Sequence, residues 1–122
     1  MALTYERDDA ERLLYVRDDG PFRLDQVLEV FDRIQAEGTW SYRMLFDARL
    51  ATGHPDIDEL RRIFTASTQP GPETERRGPM AIVVSDRTLY GMMCAYAALS
   101  PPGRVEVFRD RTEARRWLDS AR

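Results

Sequence analysis

Met80-Ala-Ile-Val-Val84 is an unbroken apolar run without the polar alternation of a strand that keeps one face in water. Such a strand is covered on both faces, and chains that contain one build helical layers around a largely parallel sheet. Ser85 and Asp86 follow with N-cap chemistry, so a helix of about Arg87 to Leu99 starts directly at the strand's end. The same order recurs upstream. Tyr42 to Asp47 is a compact apolar run ending in a carboxylate, and it precedes a helix from Asp56 to about Ser67. There Asp56 and Glu59 have capping-box spacing, and Ile57, Leu60, Ile63 and Phe64 form the expected buried face.

The flanking segments complete the pattern. Thr4 to Arg7 and Arg12 to Arg17 read as a hairpin joined by the acidic turn Asp8-Asp9-Ala10-Glu11. The turn Asp18-Asp19-Gly20-Pro21 then leads into a helix whose stripe is Val27, Leu28, Phe31 and Ile34, with Gly38 as its left-handed C-cap. After a long loop from Gln69 to Pro79, rich in Pro and Gly and expected to be mobile, and after the Met80 strand with its helix, Arg104 to Phe108 forms a last strand. Asp110 and Glu113 open a closing helix with Ala114, Trp117 and Leu118 facing inward. The predicted order is ββαβαβαβα over a single domain spanning residues 1–122: an α/β fold with a five-stranded, mostly parallel mixed sheet and four helices.

Composition closes several classes of chemistry. All 18 basic residues are arginine. Without lysine there is no P-loop lysine, no pyridoxal Schiff base and no lysine nucleophile. One histidine, His54, and one cysteine, Cys94, cannot build a zinc site of the usual composition or a disulfide framework within one chain, and no cofactor is implied. Residues 1–40 carry ten acids against five arginines, and the later arginine pairs lie among acids, so nucleic-acid binding has little electrostatic support. The longest uncharged run, Thr88 to Pro102, contains two prolines and is too short to span a bilayer. With an N-terminus that turns acidic before any apolar stretch, the expected location is the cytoplasm, with no membrane insertion.

Over essentially its whole length the chain resembles the STAS-like, SpoIIAA-like family of small bacterial domains, which carry the anti-sigma-factor-antagonist fold. The resemblance is carried by Gly20-Pro-Phe22, by Leu45-Phe-Asp-Ala-Arg49, by Met80 to Asp86 running into Leu89-Tyr-Gly91, and by Val105 to Leu118 with its tryptophan-bearing helix. It implies a non-catalytic interaction or regulatory module. In the phospho-switched branch of that family a serine follows the third strand in an Asp-Ser-Ser-Gly-like motif. Here the chain reads Ala48-Arg-Leu-Ala-Thr-Gly-His54, with only Thr52-Gly53 in that place. A phosphate on Thr52 would meet Asp56, Asp58 and Glu59, so phosphorylation there is not expected and the uncharacterised branch is the closer match.

Two surfaces are candidates for function, and neither offers a catalytic residue. His54 is a lone turn histidine, and Cys94 lies mid-helix among apolar neighbours. Asp47 and Asp86 are expected at the C-terminal ends of strands three and four, the edge that ligands of open α/β sheets favour. With Arg49, Ser85 and Tyr90 they form a candidate cleft for a small anion or a lipid-like molecule. The second surface is the helix 87–99. Leu89, Met92, Met93, Tyr96 and Leu99 have the spacing to lie on the sheet, yet the other side is uncharged too. A second copy of the protein, another protein partner or the 69–79 loop would cover it. The favoured expectation is a homodimer through Tyr90, Met93, Cys94, Ala97 and Ala98.

Overall fold

The computed structural model describes residues 3–68 and 77–121. Its elements are β1 (Leu3–Asp8), β2 (Leu13–Asp18), α1 (Leu24–Glu37), β3 (Arg43–Ala48), α2 (Ile57–Thr68), β4 (Met80–Val84), α3 (Arg87–Leu99), β5 (Val105–Phe108) and α4 (Arg111–Ser120). The expected ββαβαβαβα order is the observed one. Most of the 69–79 loop, residues 69–76, lies outside the described residues.

The strands stand in the sheet in chain order, β1-β2-β3-β4-β5, with β1 antiparallel to β2 and all later neighbours parallel. A parallel crossover is right-handed, so three crossovers that all step the same way put their helices on one face. Accordingly Leu14 and Val16 of β2, Met44 of β3, and Ile82 and Val84 of β4 share a core with Val30 and Ile34 of α1, Ile63 of α2, and Leu89 and Tyr96 of α3. Only α4, which follows the last strand, is free to reach the opposite face. There Ala114 and Leu118 close over Leu13, Leu45, Ala81 and Val83.

Local chemistry sets the helix boundaries. The capping box of α2 forms in both directions: Glu59 N–H donates to Asp56 Oδ1 at 2.8 Å, and Asp56 N–H donates to Glu59 Oε1 at 3.0 Å. Asp86 and Asp110 cap α3 and α4 by accepting from Leu89 N–H at 2.8 Å and Thr112 N–H at 2.7 Å. Gly38 ends α1 at φ 71°. The buried stripes differ from expectation in two helices. In α1, Val30 takes the buried place expected of Leu28, which is half-buried. In α2, Ile57 is 68% exposed. Among the described residues α2 makes its close backbone approach to α1, whereas α3 and α4 approach strands directly.

Arg43 ties the ends of the chain together. Its guanidinium is buried and donates to the Leu118 carbonyl at 3.2 Å, to Asp119 Oδ1 at 3.1 Å and to the Glu11 carbonyl at 2.8 Å. One side chain thereby satisfies C-terminal carbonyl chemistry of α4 and the β1–β2 turn. Replacing Arg43 with Leu removes its hydrogen bonds to Leu118, Asp119 and Glu11, and the expected cost is about 2 kcal/mol. Urea unfolding checks this as a lower midpoint at unchanged slope.

Candidate functional site

A cavity of about 70 Å³ lies between the sheet and α1–α3, with almost entirely apolar walls. Phe46 and Ala48 of β3 and Met80, Ile82 and Val84 of β4 form its floor. Phe31, Ile63, Leu89, Met93 and Tyr96 reach in from the three helices. Its position follows from the seating of α2, which leans on α1 and leaves room above β3 and β4.

At the C-terminal ends of the strands two loops bound this chamber, contributing Phe22 from one and Ala51, Gly53 and Pro55 from the other. They are joined backbone to backbone. Phe22 N–H donates to the Thr52 carbonyl at 2.9 Å, and Thr52 N–H donates to the Gly20 carbonyl at 3.0 Å, an isolated parallel bridge between Pro21 and Thr52. Thr52 is exposed, and its backbone does this work. His54 turns back locally, its Nδ1 lying 3.0 Å from the Pro55 carbonyl.

Asp18 also lines the chamber. It ends β2 on the inward face and is only 6% exposed. Its Oδ1 accepts from Gly20 N–H at 3.2 Å. Burial raises its carboxyl pKa above the ordinary value and the nearby Asp19 adds to this, while the Gly20 bond partly offsets them. In the sequence Asp18 reads only as the start of a turn.

The expected cleft residues are committed elsewhere. Arg49 grips Asp47 through a two-pronged ion pair, Nε to Oδ1 at 2.9 Å and Nη2 to Oδ2 at 2.8 Å. Burial opposes ionisation of Asp47, but Arg49 outweighs it and holds the carboxyl below the usual range. Asp47 stands on the α4 side of the sheet beside Arg111, in a shallow depression with Tyr15 and Arg17. Asp86 is occupied as the N-cap of α3, Ser85 is exposed, and Tyr90 lies under Arg109 with the guanidinium 4.2 Å from its ring centre. The apolar pocket lies on the other face of the sheet, over β3 and β4 and under α1–α3.

The faces of α3 are also rotated from expectation. Tyr90, Met93 and Ala97 pack against the core, Cys94 is half-buried, and Ala98 alone of the five proposed interface residues is exposed. Leu99, expected on the sheet, is 67% exposed. The uncovered stripe is Gly91, Ala95, Ala98 and Leu99, at helical spacing and without a charge. Among the described residues no group of three or more His, Cys, Asp or Glu side chains is placed to hold a metal, and no helix is long and apolar enough to cross a membrane.

No protein-family model matches the sequence, and no curated protein matches it. Among solved structures the chain is similar to an uncharacterised protein of the DUF3478 family from Shewanella loihica PV-4, which has a SpoIIAA-like fold. The TM-score is 0.63 at 16% identity, covering 96% of this chain and 92% of that one. The fold is therefore SpoIIAA-like, as the sequence motifs imply.

The raised pKa of Asp18 has a definite sign in stability. A carboxyl that binds its proton more tightly when folded stabilises the fold at low pH, and loses that contribution as pH rises through its folded value. Asp18→Asn, which keeps an acceptor for Gly20 N–H, is expected to raise the melting temperature at pH 7. The gain is expected to shrink as pH falls towards about 4, the ordinary Asp range, in melts recorded across that interval.

Proposed function

We propose that this domain is a non-catalytic binding module that holds a small apolar molecule in the chamber between the sheet and α1–α3. The observation that carries this reading is a partly open, almost wholly apolar cavity of about 70 Å³ beside the principal core. Apolar cavities of this kind stay dry and accept apolar guests. Phenylalanine and methionine side chains line it, and methionine adapts its shape to a guest at low cost. The loose seating of α2 supplies a way in, since a helix with one end exposed at Ile57 opens more readily than one fully packed.

Methionine methyl NMR tests this directly. Met80 and Met93 line the chamber, while Met92 does not and is partly exposed on α3. Titration with 1-hexanol is expected to shift the Met80 and Met93 methyl signals and leave Met92 in place. Ala48→Leu, which adds three carbons to the floor, is expected to abolish those shifts in a protein that still folds. Shifts confined to Met92 would move binding to the surface and remove this reading.

A second reading, self-association through α3, is favoured by the uncharged stripe Gly91, Ala95, Ala98 and Leu99. Small residues let two helices approach closely, and one patch meeting itself builds a two-fold dimer. Cytoplasmic regulation through such a dimer, or through a further protein partner, belongs to the same reading. Ala95→Arg places a charge in the stripe without touching the core and is expected to convert a dimer to a monomer in sedimentation velocity. An oligomer that survives the change takes this stripe out of consideration.

A further inference from the structure

Arg77 lies three residues before β4 and is 7% exposed, with its guanidinium inside the protein. Gly78 fixes its position: the Gly78 N–H donates to the Trp40 carbonyl at 3.1 Å, and a side chain at Gly78 would come within 2.1 Å of the Tyr42 carbonyl oxygen. The Arg77 guanidinium lies 5.1 Å from the Trp40 ring centre and 5.7 Å from that of Phe31, which lines the chamber. Nη1 donates to the Trp40 carbonyl at 3.5 Å. Nε and Nη2, both buried, have no hydrogen-bond partner among the described residues.

The chemistry of those two atoms is specific. Nε and Nη2 form the side edge of a guanidinium, where a planar carboxylate accepts two parallel hydrogen bonds at once. Arg77 lines, together with Ser67, Tyr96, Ser100 and Arg104, a neck with about 10 Å³ of free space. That volume is about what one water needs, so a carboxylate enters only as these side chains move aside, and a phosphate or sulfate needs still more room. Met80 and Tyr96 wall both this neck and the apolar chamber, so head and tail sites adjoin. Asp18 lies near the C-terminal ends of the strands, about four residues or roughly 13 Å along β4 from Met80. A second carboxylate at the far end of a guest would meet Asp18.

We propose that the chamber's ligand is a short-chain monocarboxylic acid, with its carboxylate on the Nε–Nη2 edge of Arg77 and its hydrocarbon tail among Phe31, Phe46 and Met93. This rests on the chamber being a binding site and adds the identity of the head group. Burial pulls the pKa of Arg77 down to about 10, with Arg104 acting in the same direction and Tyr96 against it. A bound carboxylate relieves that burden.

The test compares hexanoate with 1-hexanol at pH 7 on the full chain, read by the Met80 and Met93 methyl signals. Hexanoate is expected to bind about tenfold tighter or better, as a charge-assisted pair of hydrogen bonds allows. In Arg77→Gln the two guests are expected to bind alike, at the affinity of the alcohol. Equal affinities in the wild type would leave the chamber standing and overturn the role of Arg77. Failure of both guests to bind would overturn the chamber itself. A preference that survives Arg77→Gln would assign the head to another cation and overturn the proposal. A preference that emerges only when Glu73 and Glu75 are replaced by Gln would assign the edge to the chain's own carboxylates, with the same result. Should Arg77→Gln fail to fold, Arg104→Gln decides: it is expected to keep the hexanoate preference in full, and loss of the preference there would overturn the role of Arg77.

Discussion

The handedness of parallel crossovers is the constraint on which this molecule depends. Because the sheet runs β1 to β5 in chain order, each crossover steps the same way and α1, α2 and α3 must share one face. Three helices over one face leave a single ten-residue helix for the other, and α4 reaches β3, β4 and β5. Beyond Leu13 the outer face of β1 and β2 is accordingly open, with Thr4, Glu6 and Arg17 exposed and Tyr15 only partly covered by Arg115. An uneven division of helices therefore produces both a thick layer able to hold a chamber and a thin layer faced with charge.

Within the thick layer the middle helix decides what the chamber can be. α1 and α3 anchor through large buried side chains, Phe31 and Ile34 in one and Leu89 and Tyr96 in the other. α2 anchors through Ile63 and Ser67, the latter held by the Tyr96 hydroxyl and bonded back to the Phe64 carbonyl at 3.0 Å. Its C-terminal half is thus fixed near Tyr96, while its N-terminal half, with Ile57 in solvent, packs more lightly through Leu60 and relies on its capping box. A helix fixed at one end and loose at the other favours opening at the strand C-termini, beside Phe22 and Asp18. That end is the one where ligands of α/β sheets ordinarily enter.

The legible part of the fold is the part written in local signals. The Met80–Val84 run, the Asp56/Glu59 box and the Gly38 terminus each act within a few residues, and all three form as their sequence predicts. The site was less legible because its determinants are long-range. Asp18 has the sequence of a turn, and only the closing of α1 and the 48–55 loop over it makes it a buried carboxyl. Arg77 sits in a loop-like stretch, and its burial depends on Trp40 and Phe31, far away in the chain. Asp47 and Arg49 are two residues apart and satisfy each other, an outcome equally compatible with an open cleft until side-chain directions are known. In α3 both sides are apolar, so spacing alone could not show that Ala97 packs inward while Leu99 does not.

The unfavourable features of the molecule are gathered in one place. The void, the buried Asp18 carboxyl and the half-satisfied Arg77 guanidinium all lie on the α1–α3 side and all border the chamber or its neck. On the α4 side the buried Arg43 has three oxygen partners, and Asp47 and Asp119 each have an arginine. A sequence under selection for stability alone has ready remedies for each: a larger residue at Ala48, an amide at Asp18, an uncharged residue at Arg77. Random imperfection would scatter such costs across both layers, whereas a binding site concentrates them where a guest relieves them. In the proposed reading an apolar guest would fill the cavity and a carboxylate would complete Arg77, so that occupancy would stabilise the fold through the same groups that weaken it when empty.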